Sequence, residues 1–243
     1  MKSINLGNKT VEYEIIRTDR KTMGINIEDA KTVTVRSPKK LSVEKIEDVL
    51  KEKKVWILTK LAKMEEIKPA PKEKEFMTGE KLSYLGRRYM LEISNREGVD
   101  EVQVKLYQGT FVVEYPADLD NDETKRREAI REEFISWYRE HAEAKIKERV
   151  DKYKEDLDVE PNNIVIKKQN KRWGSCSSKG NLNFNWKIIM APMSVVDYLV
   201  VHELVHLLED NHSREYWKTV ESIIPDYREK REWLRVNGRR LTV

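Results

Sequence analysis

The chain has 243 residues, a length that suits one compact domain or two small ones. Hydrophobic residues make up 39% and charged residues 37%, and 47 Lys and Arg nearly balance 43 Asp and Glu for a formal net charge of +4. Charge so evenly mixed argues against a dedicated nucleic-acid binder; a single cysteine, Cys176, excludes an internal disulfide framework; and no window approaches the roughly eighteen apolar residues of a membrane span.

The N-terminal MKSINLGNKTVEYEIIR lacks the apolar stretch of a secretory signal, so a cytoplasmic protein with no membrane partner is expected. Val11, Tyr13 and Ile15 alternate with polar residues, as do Ile25/Ile27 and Val33/Val35, and that period of two predicts half-buried strands over the first forty residues. Ser42 opens a helix whose apolar face is Ile46, Val49, Leu50, Ile57, Leu58 and Leu61, ending before Pro69. Lys68–Lys74, KPAPKEK, reads as the best interior linker.

Strand character returns over residues 76–115. Leu82 and Tyr84 with Tyr89, Leu91 and Ile93 predict one hairpin around Gly86. Val102, Val104 and Leu106 with Phe111, Val113 and Tyr115 predict another around Gly109. A long helix follows from about Asp122 to Lys154, with Ile130, Phe134, Trp137, Tyr138, His141 and Ile146 at three- and four-residue steps. No internal repeat is visible along the chain.

The last third holds the chemistry. Ile164–Ile166 predict a short strand, Arg172–Gly180 is rich in turn residues, and Leu182, Phe184 and Trp186 alternate with asparagines as a strand. A helix from Ser194 to about Glu209 contains His202-Glu203-Leu204-Val205-His206, and the strand near Leu182–Trp186 is expected beside it. Histidines four apart share a helix face, so His202 and His206 can address one zinc ion from the same side. Glu203 lies about 100° further round, out of the ligand plane but within reach of a water beside the metal. Zinc brings the pKa of such a water down to roughly 7, where a carboxylate can take its proton.

A third ligand is needed. On an unbroken helix His212 would lie about 240° from His206, so the helix must stop first, and Asp210 and Asn211 tolerate a left-handed exit. Three of the four histidines fall in this short stretch of an otherwise apolar segment, where unpaired polar groups are costly. Glu215 or Glu221 is the alternative third ligand. Arg172 is a candidate to stabilise an oxyanion or bind a substrate carboxylate. Cys176 reads as a packing residue, with a fourth zinc ligand in a latent state as the alternative, and Tyr216 and Trp217 read as contacts between helices, with a transition-state contact the alternative for Tyr216. The spacing to His212 matches metzincins, but Glu209 stands where they have glycine and no methionine follows the site.

Arg172-Trp173-Gly174-Ser175-Cys176, Asn185-Trp186 and HELVHLLEDNHSREYW from His202 to Trp217 together resemble the YgjP-like metallopeptidases, relatives of the SprT-like proteases. The resemblance implies zinc ligands at His202, His206 and His212, a base at Glu203, and a peptide or protein substrate. Tyr216 stands where that family commonly has Phe. The fold expected is α+β: a strand-rich region with one helix over 1–120, then a helical zincin-like HExxH core over 121–243. Two other functions stay open. One is a zinc-dependent nucleotide or phosphoanhydride hydrolase using Lys167, Lys168, Lys171 and Arg172, although no GxxxxGK[ST] loop is present. The other is a nucleic-acid-associated protein using the basic run Arg228–Arg240.

Overall fold

Alternation puts one set of strand side chains on each face, and the computed structural model, which describes residues 1–27, 32–169 and 171–243, builds two four-stranded sheets from such segments. Two compact units result, Met1–Lys68 and Pro69–Val243. The division falls at the start of the proline-broken connector, not at residue 120 as expected. The physical reason is that the strands after the connector share one core with the long helix that follows them.

The first unit contains β1 (Lys2–Leu6), β2 (Lys9–Thr18), β3 (Gly24–Ile27) and β4 (Thr32–Pro38), then α1 (Val43–Glu52) and α2 (Lys54–Glu65). The sheet order is β1-β2-β4-β3, with β2 and β4 parallel and both outer pairs antiparallel. The Ser42 side chain caps α1 by accepting from the Lys45 N–H. The single helix expected here is two, broken at Lys53. Ile46, Leu50, Ile57 and Leu61 close the core over Ile4, Leu6, Val11, Tyr13, Val33 and Val35.

The second unit opens with β5 (Lys81–Tyr84), β6 (Arg87–Arg96), β7 (Gln103–Tyr107) and β8 (Thr110–Pro116), and both predicted hairpins are present. Its order, β5-β6-β8-β7, and its strand senses are those of the first sheet. The register of the central parallel pair is also the same: Glu12↔Thr32 through Thr18↔Pro38 in the first sheet, Met90↔Thr110 through Arg96↔Pro116 in the second, at one constant offset along the chain. The chain therefore contains a repeat of structure that its residue identities hide.

α3 (Glu123–Leu157) runs for 35 residues from a cap in which the Asp122 carboxylate accepts from the Lys125 N–H. Its first half lays Phe134 and Trp137 against Phe111, with ring centroids 5.4 and 5.0 Å apart. Its second half packs on α4 (Met193–Val205). There Arg149 grips Asp197 with two hydrogen bonds of 2.5 and 3.1 Å.

A third, small sheet combines β9 (Asn163–Lys167), β10 (Gly174–Cys176) and β11 (Asn181–Asn185) in the order β10-β11-β9. The segment expected to be only turns thus contains β10. It is β10, at the sheet edge, and not the central β11, that lies against α4. α4 is buried nearly all round, from Val195 through Val205, as its apolar composition dictates. α5 (Arg214–Ile223) and α6 (Tyr227–Asn237) complete an α+β fold. Among the described residues no helix is long and apolar enough to cross a membrane.

Candidate metal centre

His202 and His206 stand one turn apart at the end of α4, with ring centroids 5.2 Å apart. The helix stops at Val205, four residues earlier than expected, and turn hydrogen bonds carry the chain on: Leu207 N to Leu204 O, Leu208 N and Glu209 N to Val205 O. No residue from 206 to 212 has a positive φ, so the exit uses successive tight turns and not a left-handed residue. The result is the one the histidine spacing demanded. His212 returns to the face of His202 and His206, and one nitrogen from each of the three rings lies within 4.8 Å of the others.

Hydrogen bonds decide which nitrogens converge. His206 Nδ1 is 3.0 Å from the Glu209 carbonyl oxygen, which can only accept, so Nδ1 carries the proton and Nε2 keeps its lone pair. The Tyr216 hydroxyl donates to the His202 carbonyl oxygen at 2.8 Å and lies 2.7 Å from His202 Nδ1. Its one proton is spent on the carbonyl, so its oxygen accepts from Nδ1–H. His202 Nε2 is then free and sits 3.3 Å from His212 Nε2. Zinc–nitrogen bonds of about 2.0–2.1 Å at a tetrahedral angle separate two ligands by about 3.3–3.4 Å. Three imidazole donors suit zinc, and the His202–His212 pair has that spacing while the set as a whole lies within 4.8 Å. Burial, with His206, His212 and Arg231 adding to it, holds His202 down to about 3, so the ring is neutral, as a ligand must be. His212 is lowered for the same first reason, then by His206 and Arg231.

Glu203 is 3% exposed. Burial pushes its carboxyl up to about 8, while the Arg172 guanidinium and a hydrogen bond from the Cys176 N–H pull the other way. β10 makes room for it with Gly174, where a Cβ would stand 2.4 Å from Glu203 Oε1. The cleft, of about 540 Å³, is lined by Arg172, Cys176, Glu203, Asp210 and the three histidines. The sequence-predicted residues thus come together. Glu221 instead pairs with Arg228 at 2.6 Å, and Glu215 lies 3.8 Å from Lys218.

Several contributors escaped sequence reasoning. Tyr216, in the first turn of α5, acts on a residue fourteen positions away, and only its place in a motif otherwise carrying Phe singled it out. Arg231 lies over the Trp217 ring at 4.9 Å, and Trp217 in turn stacks on His212 at 5.4 Å; no local pattern marks it. Gly174 was legible only as part of a turn-rich run. The basic run on α6 is largely neutralised: Lys230 binds Asp226 at 2.5 Å, Arg228 binds Glu221, and Arg235 binds Glu232.

A family model described as a YgjP-like metallopeptidase domain matches residues 21–237. No curated protein matches the chain. Two solved metallopeptidase zymogens resemble part of it. Abylysin of Pyrococcus abyssi has 21% identity and a TM-score of 0.35, over 40% of this chain and 99% of that one. Jannalysin of Methanocaldococcus jannaschii has 23% identity and a TM-score of 0.32, over 35% of this chain and 91% of that one. The family match spans most of both compact units, including the histidine cluster and the strand that cradles Glu203, and on that match the chain belongs to the YgjP-like metallopeptidases.

Proposed function

We propose that the chain is a zinc-dependent peptidase in which His202, His206 and His212 hold the metal and Glu203 is the general base. The observation that carries this reading is a buried carboxyl group, Glu203, next to His202 on α4 and beside three imidazoles that converge on one point. Zinc bound there would polarise a substrate carbonyl and acidify a water. Glu203, its pKa raised by burial to about 8, would take a proton from the attacking water and return it to the leaving amine. Arg172 offsets the negative charge that grows on the carbonyl oxygen.

The edge of β10 supports a peptide substrate. Trp173 O accepts from Asn185 N and Ser177 N donates to Asn181 O, so alternate residues Gly174 and Cys176 turn their backbone groups away from β11. The Cys176 N–H is spent on Glu203, and the remaining groups are available to an extended peptide.

The test is a pair of variants. Glu203→Gln should keep about one zinc per chain and the fold but lose 10²–10⁴-fold in peptide hydrolysis, roughly what a general base supplies. The double variant His202→Ala, His206→Ala should hold no zinc by elemental analysis. Full zinc occupancy in that double variant, or undiminished turnover in Glu203→Gln, would overturn the assignment. A second reading, hydrolysis of a nucleotide phosphoanhydride, is favoured by one observation, a cavity beside the cleft lined by Lys171, Arg172 and Lys187.

A further inference from the structure

Arg172 lines two cavities. One is the metal cleft; the other, of about 480 Å³, is walled by the end of α6, the C-terminal residues and the segment leading into β10. A volume of that size is in the range of ligand sites. The two differ sharply in charge. The cleft contains Glu203 and Asp210, whereas the second cavity is lined by Lys171, Arg172, Lys187, Arg235 and Arg239 and by no acidic residue. Arg235 is bonded to Glu232. Lys187 has no carboxylate within ion-pair distance among the described residues: its ammonium lies 5.8 Å from the Trp186 ring, and burial, with Lys168 and Arg131 adding to it, lowers its pKa. Lys187 is half-buried, and a cation partly withdrawn from water without an anion carries a cost that is recovered when a ligand supplies one.

A second observation points the same way. Gln169 also lines this cavity, and its Nε2 is buried with no acceptor. Its backbone is fixed, because Asn185, itself 3% exposed, donates from Nδ2 to the Gln169 carbonyl at 2.8 Å and to the Arg172 carbonyl at 3.4 Å. Cations together with an unspent amide donor call for a ligand that only accepts. Trp173 closes the wall against Gly238, where a Cβ would stand 2.9 Å from the indole.

We propose that this cavity is a substrate subsite for a peptide carboxylate, taking an Asp or Glu side chain or a chain-terminal carboxylate close to the bond that is cut. The inference rests on the peptidase reading and names its substrate class: peptides with an acidic group within one or two residues of the scissile bond, the distance that a single side chain, Arg172, spans between cleft and cavity.

Binding and cleavage test it separately. Glu203→Gln protein is titrated, by fluorescence anisotropy, with labelled peptides that differ only in one group: an internal Glu with an amidated end, an internal Gln with a free carboxylate end, and an internal Gln with an amidated end. At least one carboxylate-bearing peptide should bind about tenfold more tightly than the fully neutral one, and which one identifies the source of the carboxylate. The ratio should fall toward one with Lys187→Gln and invert, favouring an internal Lys, with Lys187→Glu. Lys171→Ala, at an exposed position, provides a variant with little risk to the fold. Equal binding of all three peptides sinks the subsite. Wild-type protein is then given the same peptides and, in parallel, nucleoside triphosphates. Cleavage indifferent to charge refutes the subsite and leaves the peptidase reading standing. Triphosphate hydrolysis with no peptide cut overturns both.

Discussion

The two sheets share strand order, senses and the register of their central parallel pair, yet one closes on itself and the other supports a metal centre. At matching positions two buried pairs differ in kind, Tyr13 against Leu91 and Val33 against Phe111, while Ile4 with Leu82 and Val35 with Val113 stay aliphatic. The first sheet is covered by two short helices and an aliphatic core, with the Tyr13 hydroxyl bonded to Glu47 at 2.6 Å. The second is covered by a helix of 35 residues and a stack of aromatic rings. Only the first part of α3 is needed to cover a sheet of this size. The remainder carries Ala142, Ile146 and Val150 onward to α4. The difference teaches that the length of the covering helix, more than the sheet itself, decides whether such a unit is self-contained or becomes a platform.

Truncating one core residue in each unit should separate them most strongly. Phe134→Ala removes a ring fully buried in the aromatic stack and should cost roughly 3–5 kcal/mol, with hydrolysis and the unfolding transition of the second unit lost together on heating. Leu50→Ala should cost roughly 2–5 kcal/mol but act on the first unit's transition, leaving zinc content and room-temperature hydrolysis in place. Calorimetry with parallel activity assays reads both. Loss of hydrolysis in Leu50→Ala in step with its unfolding would break the comparison.

The two β-hairpin turns sharpen it. Gly7, at φ +76°, has nothing within 4 Å of a built Cβ, whereas Gly86, at φ +79°, would meet the Pro192 Cα at 2.8 Å. Gly7→Ala should therefore cost only the left-handed strain, about 1–2 kcal/mol. Gly86→Ala should add about 1–3 kcal/mol of overpacking, because the Leu85 and Gly86 N–H groups also hold the Ile189 and Met190 carbonyls just ahead of α4. Equal losses of thermal stability would mean that the second hairpin does not brace the metal helix.

The smallest effect belongs to Tyr216. Tyr216→Phe removes the acceptor for His202 Nδ1–H and should weaken zinc about tenfold, as loss of such outer partners does, without moving the first unit's unfolding. Competition with a chelating dye measures it. Unchanged affinity would make the hydroxyl a packing feature.

Much of this was legible in the residues. Period-two alternation located β5 to β8 and their hairpins, three- and four-residue steps located α3, and the spacing of His202, His206 and His212 predicted their meeting. The repeat was not legible because burial pattern, not identity, is what the two sheets share. β10 was hidden because three residues, Gly174-Ser175-Cys176, are too few for a pattern and look like turn chemistry. The end of α4 was misjudged because the chain leaves it through a turn closed by the His206 side chain on Glu209, which no propensity encodes. The boundary between the units was misplaced because a change of secondary-structure type near residue 120 is not a change of core.

The hydrogen bonds that fix His202 and His206 have a consequence for the order of events in the cell. Many small metal sites are assembled by the ion itself, so that folding waits for metal. Here the rings are held by Tyr216 and by a main-chain carbonyl, and the helix that carries them is inserted in an apolar core. The polypeptide can complete its fold first and be charged with metal last. Folding then does not wait for metal supply, and a stripped preparation should regain its metal by simple addition, with no cycle of denaturation and renaturation.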